Sequence, residues 1–226
     1  MIRLLLLALL ALAACGRPLT DTERAYLAGL HGSSLDTGKL RIVKGAPVAA
    51  ITFRRTQRPR VTCRERILPP VTDEVITSSP AAVALFNRIF FVRDWYAGNY
   101  LPDYPDKLHL VEAMLLAHEA THIWQWQNRR QTGYHPLRAA AEHGGRRDPY
   151  LFDLEGDPDF LTYGFEQQGA IIEEYVCCRA LAPQAARTRR LHGMLAAAMP
   201  VSALPQSRES DVYLPWKNAE LRGICD

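Results

Sequence analysis

The chain has 226 residues, 48% of them hydrophobic and 23% charged, which suits one globular domain with a sizeable core and excludes disorder of the whole. Its 27 basic and 24 acidic residues leave a formal charge of only +3, a balance that gives no reason to expect nucleic acid as a partner. Two arginine clusters, Arg54, Arg55, Arg58 and Arg60, then Arg187, Arg189 and Arg190, read as solvated surface in preference to contacts for anionic lipid.

The amino terminus is the first informative element. Arg3 precedes an apolar run from Leu4 to Leu12, interrupted only by alanines, and the small residues Ala13 and Ala14 lead to Cys15. Such a run is too short to span a bilayer. Leu12-Ala13-Ala14-Cys15 resembles a bacterial lipobox. The resemblance implies a signal peptide over 1–14, removed before Cys15, and acylation of the Cys15 thiol, so that the mature protein is lipid-anchored to the cell envelope. Several acyl chains make a stable anchor, since each buried methylene contributes about 0.8 kcal/mol. Gly16 in place of an aspartate after the cysteine points to the outer membrane.

Export places Cys63, Cys177, Cys178 and Cys225 in an oxidising compartment, where they are expected to form disulfides. A bridge between the adjacent Cys177 and Cys178 would be strained. Separate links from Cys63 and Cys225 to that pair are therefore expected, and a zinc-thiolate cage is not.

Residues 15–38 read as a tether with one amphipathic helix over Thr20 to Leu30, and 39–226 as the folded domain. From Leu40 to Ile67, Ile42, Val43, Val48, Ile51, Phe53, Val61 and Ile67 among alternating polar residues and prolines predict two or three strands. Pro69-Pro70 and Ser78-Ser79-Pro80 punctuate the chain, and 81–93 favours a strand through Ile89-Phe90-Phe91-Val92. A helix is predicted over 107–131, with Asp106 as N-cap, apolar residues from Leu108 to Trp126 at helical spacing, and Gly133 as a stop. A loop from His135 to Pro158 follows, with one helical turn around 137–142. Two more helices are predicted over 160–182, ended by Pro183, and 184–199. The tail from Pro200 shows no period. The fold class is thus α+β: a small N-terminal sheet, then a long helix and a mostly helical C-terminal half.

Inside the first long helix stands His118-Glu119-Ala120-Thr121-His122. Histidines four apart on a helix lie on one face, so their ring nitrogens can converge on one metal ion, and the glutamate at the edge of that face can take a proton from a bound water. With 7 histidines and 12 glutamates in the chain, chance supplies this pattern roughly 0.01 times. The motif resembles that of the zincin metallopeptidases. The resemblance implies a strand-plus-helix lobe beside a substrate cleft, a Zn2+ cofactor, His118 and His122 as ligands and Glu119 as catalytic base. The metzincin variant is excluded, because Gln125 and Asn128 stand where it needs glycine and histidine.

A third ligand must come from further along. Glu142 lies at a spacing found in thermolysin-like enzymes, but it lacks an acidic residue one turn on; His143 is a weaker candidate beside it. Glu166 and Glu173, seven apart, share a face of the next helix, with Glu174 at its edge among Ile171, Ile172 and Val176. Carboxylates so close to apolar residues suit a metal with its hydrogen-bonded shell. Together with the Trp-Gln that follows the histidine motif, the Glu166-Gln-Gln segment is similar to uncharacterised bacterial zincin-like proteins related to domains of injection systems. By that resemblance Glu166 is the third ligand, with Glu173 as the alternative because Ala170 stands where an acidic residue often does. Trp124, Trp126, Tyr134 and Tyr163 are candidates to line the cleft. The expected function is a zinc-dependent peptidase acting on a peptide or protein of the cell envelope. The alternative is an envelope lipoprotein that binds zinc for a binding or assembly role and cleaves nothing.

Overall fold

The computed structural model describes residues 16–46, 51–54, 59–73, 75–78, 80–143, 148–153, 155–156 and 158–226. The expected signal peptide, Cys15, Val48, Arg55 and Arg58 lie outside the described residues. The architecture is α+β, a small N-terminal mixed sheet followed by a largely helical region. Among the described residues no helix is long and apolar enough to cross a membrane.

Helix α1 (Asp21–His31) starts at a capping box, in which Thr20 and Glu23 each accept from the other's backbone amide. Glu23 is buried, and Arg17 forks onto its two oxygens at 2.8 Å each while the Tyr100 amide donates at 2.9 Å. Arg17 also exchanges backbone hydrogen bonds with Ile42. Tyr26, Leu27 and Leu30 then bury one face of α1 in the main core, joined by Leu19 and Leu35. This corrects the expected tether: from Arg17 onward the segment is part of the folded domain, because its apolar residues need the core.

Strands β1 (Arg41–Lys44), β2 (Ile51–Arg54) and, beyond a short helix α2 (Cys63–Ile67), β3 (Val75–Ser78), β4 (Ala82–Leu85) and β5 (Arg88–Phe91) make two sheets. One has the order β1-β5-β4, with β5 parallel to β1 and antiparallel to β4; the other is the antiparallel pair β2-β3. The strand expected within 81–93 is therefore a hairpin. Cys63–Ile67 departs from the expected strand because Thr62 and Glu65 form a second capping box, a local helix signal that outweighs the β-branched residues around it.

A further correction concerns the start of the first long helix. Lys107–His109 is strand β6, which pairs in parallel with β7 (Asp211–Tyr213) from the aperiodic tail. Helix α3 therefore runs from Leu110 to Gln127, and Asp106, expected as its N-cap, instead gives its carbonyl to the Asp211 amide. After Asn128, a short α4 (Arg129–Thr132) ends at Gly133 in the left-handed conformation at φ 66°, where the sequence placed the stop. Helices α5 (Pro136–Glu142), α6 (Phe165–Leu181) and α7 (Ala186–Ala198) complete the domain; Phe160–Thr162 is only a 3-10 turn before α6.

Two disulfides, Cys63–Cys177 and Cys178–Cys225, have the expected pairing and tie α2 and the C-terminus to α6. They span 114 and 47 residues, so loop closure alone gives each about 4–5 kcal/mol. Helix α3 packs against the same α6.

Candidate metal centre

His118 and His122 stand one turn apart on α3 and both face α6, whose first turn carries Glu166. The two Nε2 atoms are 3.2 Å apart, and Glu166 Oε2 lies 3.3 Å from that of His118 and 3.4 Å from that of His122. All three residues are buried. Atoms held about 2.0–2.1 Å from a tetrahedral ion lie about 3.3 Å from one another. The triangle thus has the dimensions of one face of a four-coordinate shell and leaves the fourth corner to another group. A second cluster, Cys63, Cys178 and Cys225, offers no thiolate, since its sulfurs are in disulfides.

The other candidate ligands serve around the triangle. Glu173 Oε1 is 3.2 Å from Nδ1 of His118, on the far side of the ring. Glu142 accepts the Phe165 and Glu166 amides at 2.9 and 3.0 Å, which caps the start of α6 and fixes where Glu166 sits. His143 Nε2 lies 3.0 Å from the outer oxygen of Glu166. Behind His122, Gln125 accepts from Nδ1 at 2.9 Å and donates to the Phe165 carbonyl and to Gln168, which in turn donates to the Tyr163 carbonyl. With its amide nitrogen committed as donor, Gln125 can present only its oxygen to the ring. In its neutral form His122 therefore carries its proton on Nδ1 and leaves Nε2 free to face the triangle.

Gly169 makes the close approach possible. A Cβ there would stand 2.6 Å from His118 Cε1 and 2.8 Å from both ring nitrogens, so the imidazole lies flat on bare helix backbone.

Burial works against the charged form of His118, yet contacts with Glu166 and Glu173 outweigh it and raise its pKa well above the ordinary value. Burial would also raise the Glu166 carboxyl, but the neighbouring imidazoles hold it well below the usual range. Protons held in this cluster occupy the place a divalent cation would take, and they would leave on metal binding. For Glu119, burial dominates and the pKa is raised, with the two histidines opposing it in part. Its Oε2 is buried without a hydrogen-bond partner among the described residues.

Of the four aromatics considered from sequence, Tyr134 adjoins the centre, its ring 6.2 Å from that of His122. Trp124 is core, fully buried with its indole donating to Ser34, and Trp126 packs on Phe86 and Arg129. Tyr150, not singled out from sequence, lies over the site, its ring 5.9 Å from His118 and 5.8 Å from His143. Gly169 and Arg64 were likewise not singled out. A glycine in the middle of an otherwise strong helix, three residues after the Glu166 ligand candidate, was the available signal.

No family model matches the chain, and no curated protein matches it. Among solved structures the chain is similar to the effector domain of Pseudomonas aeruginosa VgrG2b, with a TM-score of 0.55 and 22% identity over 80% of this chain and 85% of that one. This likeness concerns the fold. The chain has a fold related to that effector domain, with a buried His118, His122 and Glu166 cluster suited to a metal ion.

Proposed function

We infer that the protein is a zinc-dependent hydrolase of peptide bonds, with His118, His122 and Glu166 as ligands and Glu119 as general base. The observation that carries this reading is Glu119: a buried carboxylate with an oxygen left unpartnered, on the helix turn between the two histidines. A structural metal site has no use for such a base. Two neutral imidazoles and one carboxylate suit zinc, which when bound supplies Lewis acidity at its open position. Glu119 then takes the proton of the attacking water and returns it to the leaving amine. Tyr134 and Tyr150 stand beside the histidines, their rings 6.2 Å from His122 and 5.9 Å from His118, where they would border a bound peptide.

Metal content and turnover test this directly. Glu119→Gln keeps zinc and loses hydrolysis by about 2 to 4 orders of magnitude. Glu166→Gln exchanges an anionic ligand for a neutral amide and weakens zinc itself. If Glu119→Gln and metal removal leave every phenotype of a complemented deletion strain unchanged, the non-enzymatic envelope role replaces this one.

The lipobox resemblance supports an anchor at Cys15, with the domain facing an envelope peptide or protein substrate. Cys15→Ser should move the protein out of the membrane fraction; unchanged partitioning overturns the anchor.

A further inference from the structure

Two successive residues of α2 meet two successive glutamates of α6. The Cys63 amide donates to Glu174 Oε2 at 2.7 Å, and Arg64 Nε lies 3.4 Å from Glu173 Oε2. The Cys63–Cys177 bridge joins the same two turns. Glu174 is then held from the other side by Arg187, at 2.9 Å, which also reaches the Val61 carbonyl just before α2. Glu173, in contrast, brings its second oxygen to 3.2 Å from Nδ1 of His118, an ion-pair contact and not an aligned hydrogen bond. Its side chain is nearly buried, whereas that of Arg64 is 54% exposed, so Arg64 approaches Glu173 from the surface side. A continuous path of contacts thus runs from the disulfide, through Arg64 and Glu173, to the face of His118 that turns away from the triangle.

We propose that Arg64 is a positioning residue for the metal centre, fixed in place by the Cys63–Cys177 disulfide and acting through Glu173 on the orientation of His118. The inference rests on the metal-binding reading above. Its physical basis is the geometry of Glu173. A carboxylate shared between a guanidinium and an imidazole has one orientation that serves both; without the guanidinium it is free to rotate, and the imidazole loses its guide. The bridge at Cys63, next to Arg64, fixes this five-residue helix covalently to α6 beside the Cys63 amide's bond to Glu174, and so sets where the guanidinium sits. The Cys178–Cys225 bridge, one residue further along α6, lies against Glu174, with Cys178 Sγ 3.6 Å from its Oε1, and not against Glu173, so it supplies an internal control.

The test measures zinc affinity by competition with a chromophoric chelator, and the visible absorption of the cobalt(II) form, on the full chain and its variants. Circular dichroism checks that each variant is folded. Arg64→Gln should weaken zinc about three- to tenfold, less than loss of a directly bonded ligand partner because the ion pair is partly exposed. It should also shift the cobalt spectrum, and Arg64→Lys should restore most of the affinity. Cys63→Ala with Cys177→Ala should weaken zinc to a similar degree, and adding Arg64→Gln to that pair should have no further effect. Cys178→Ala with Cys225→Ala should leave affinity and spectrum as in the wild type. Equal losses from both cysteine pairs, multiplying effects of Arg64→Gln and the first pair, or unchanged affinity in Arg64→Gln would each overturn the proposal while the metal reading stands. Absence of metal binding by the wild type overturns both.

Discussion

Gly169→Ala is a one-methyl change aimed at a single ring. The added carbon would lie 2.6 Å from Cε1 of His118 and 2.8 Å from Nδ1 and Nε2, against ordinary carbon contacts of about 3.5–4.0 Å. His118 must therefore retreat by about 1 Å, or α6 must move away from α3. Ligand distances in a metal site hold within about 0.2 Å, so such a retreat removes one ligand. Apparent zinc binding energies of about 10–16 kcal/mol, divided over four ligands, put that loss at about 2.5–4 kcal/mol, or about two to three orders of magnitude in Kd. The metal-free protein should suffer much less, because alanine in a helix interior gains about 1 kcal/mol over glycine, which offsets part of the strain. Chelator competition gives the affinity, and thermal unfolding in excess chelator gives the stability of the metal-free form. Gly169→Ala with wild-type zinc affinity would refute the reasoning, since it would mean that His118 does not hold the ion where the triangle puts it.

Two further outcomes follow from the surroundings of the centre. Buried His31 donates to Thr121 at 3.2 Å beneath α3, and burial lowers its pKa to about 4 from an ordinary 6.5. Because the folded value is depressed, the unfolded chain takes up the proton first; its contribution is complete above about pH 6.5 and declines as the pH falls toward 4, by about 3 kcal/mol. His31→Gln should therefore flatten the slope of unfolding free energy between pH 6.5 and 4 in chelated protein, and parallel slopes for the two proteins would contradict this. Glu142→Ala should lower stability by about 1–2 kcal/mol through loss of the cap on α6 while zinc stoichiometry stays at the wild-type value; loss of the metal with retained stability would make Glu142 the ligand after all.

How far the sequence could be read depended on the range of the interactions. His118, Glu119 and His122 lie within one helical turn, and the spacing alone brings them to one face. The disulfides were also accessible, because adjacency of Cys177 and Cys178 leaves few workable pairings. Glu166 was reached through resemblance, while its choice over Glu173 and Glu142 is geometric: only Oε2 of Glu166 closes the triangle, as Glu142 is occupied by two backbone amides and Glu173 lies behind His118. The start of α3 was misplaced because β6 owes its extended form to β7, about a hundred residues away, and strand propensity depends on such partners more than on local pattern. The supposed tether shows the same limit, since Tyr100 and Ala113, which meet Glu23 and Tyr26, are remote in sequence.

Gly169 and Glu173 carry the argument one step further. Both sit on α6, both touch His118, and neither is a candidate ligand by geometry. One removes a side chain so that the ring can approach, and the other supplies a carboxylate so that the ring faces the right way. Together they explain why this helix tolerates a glycine in its second turn and two adjacent buried glutamates: the cost in propensity and desolvation is set against a precise seat for one imidazole. A helix selected only for core packing would fill position 169 and would not bury Glu173 and Glu174 side by side. That their two carboxylates diverge, one toward His118 and Arg64 and the other toward the Cys63 amide and Arg187, ties the placement of His118 to the disulfide-bonded turn at Cys63.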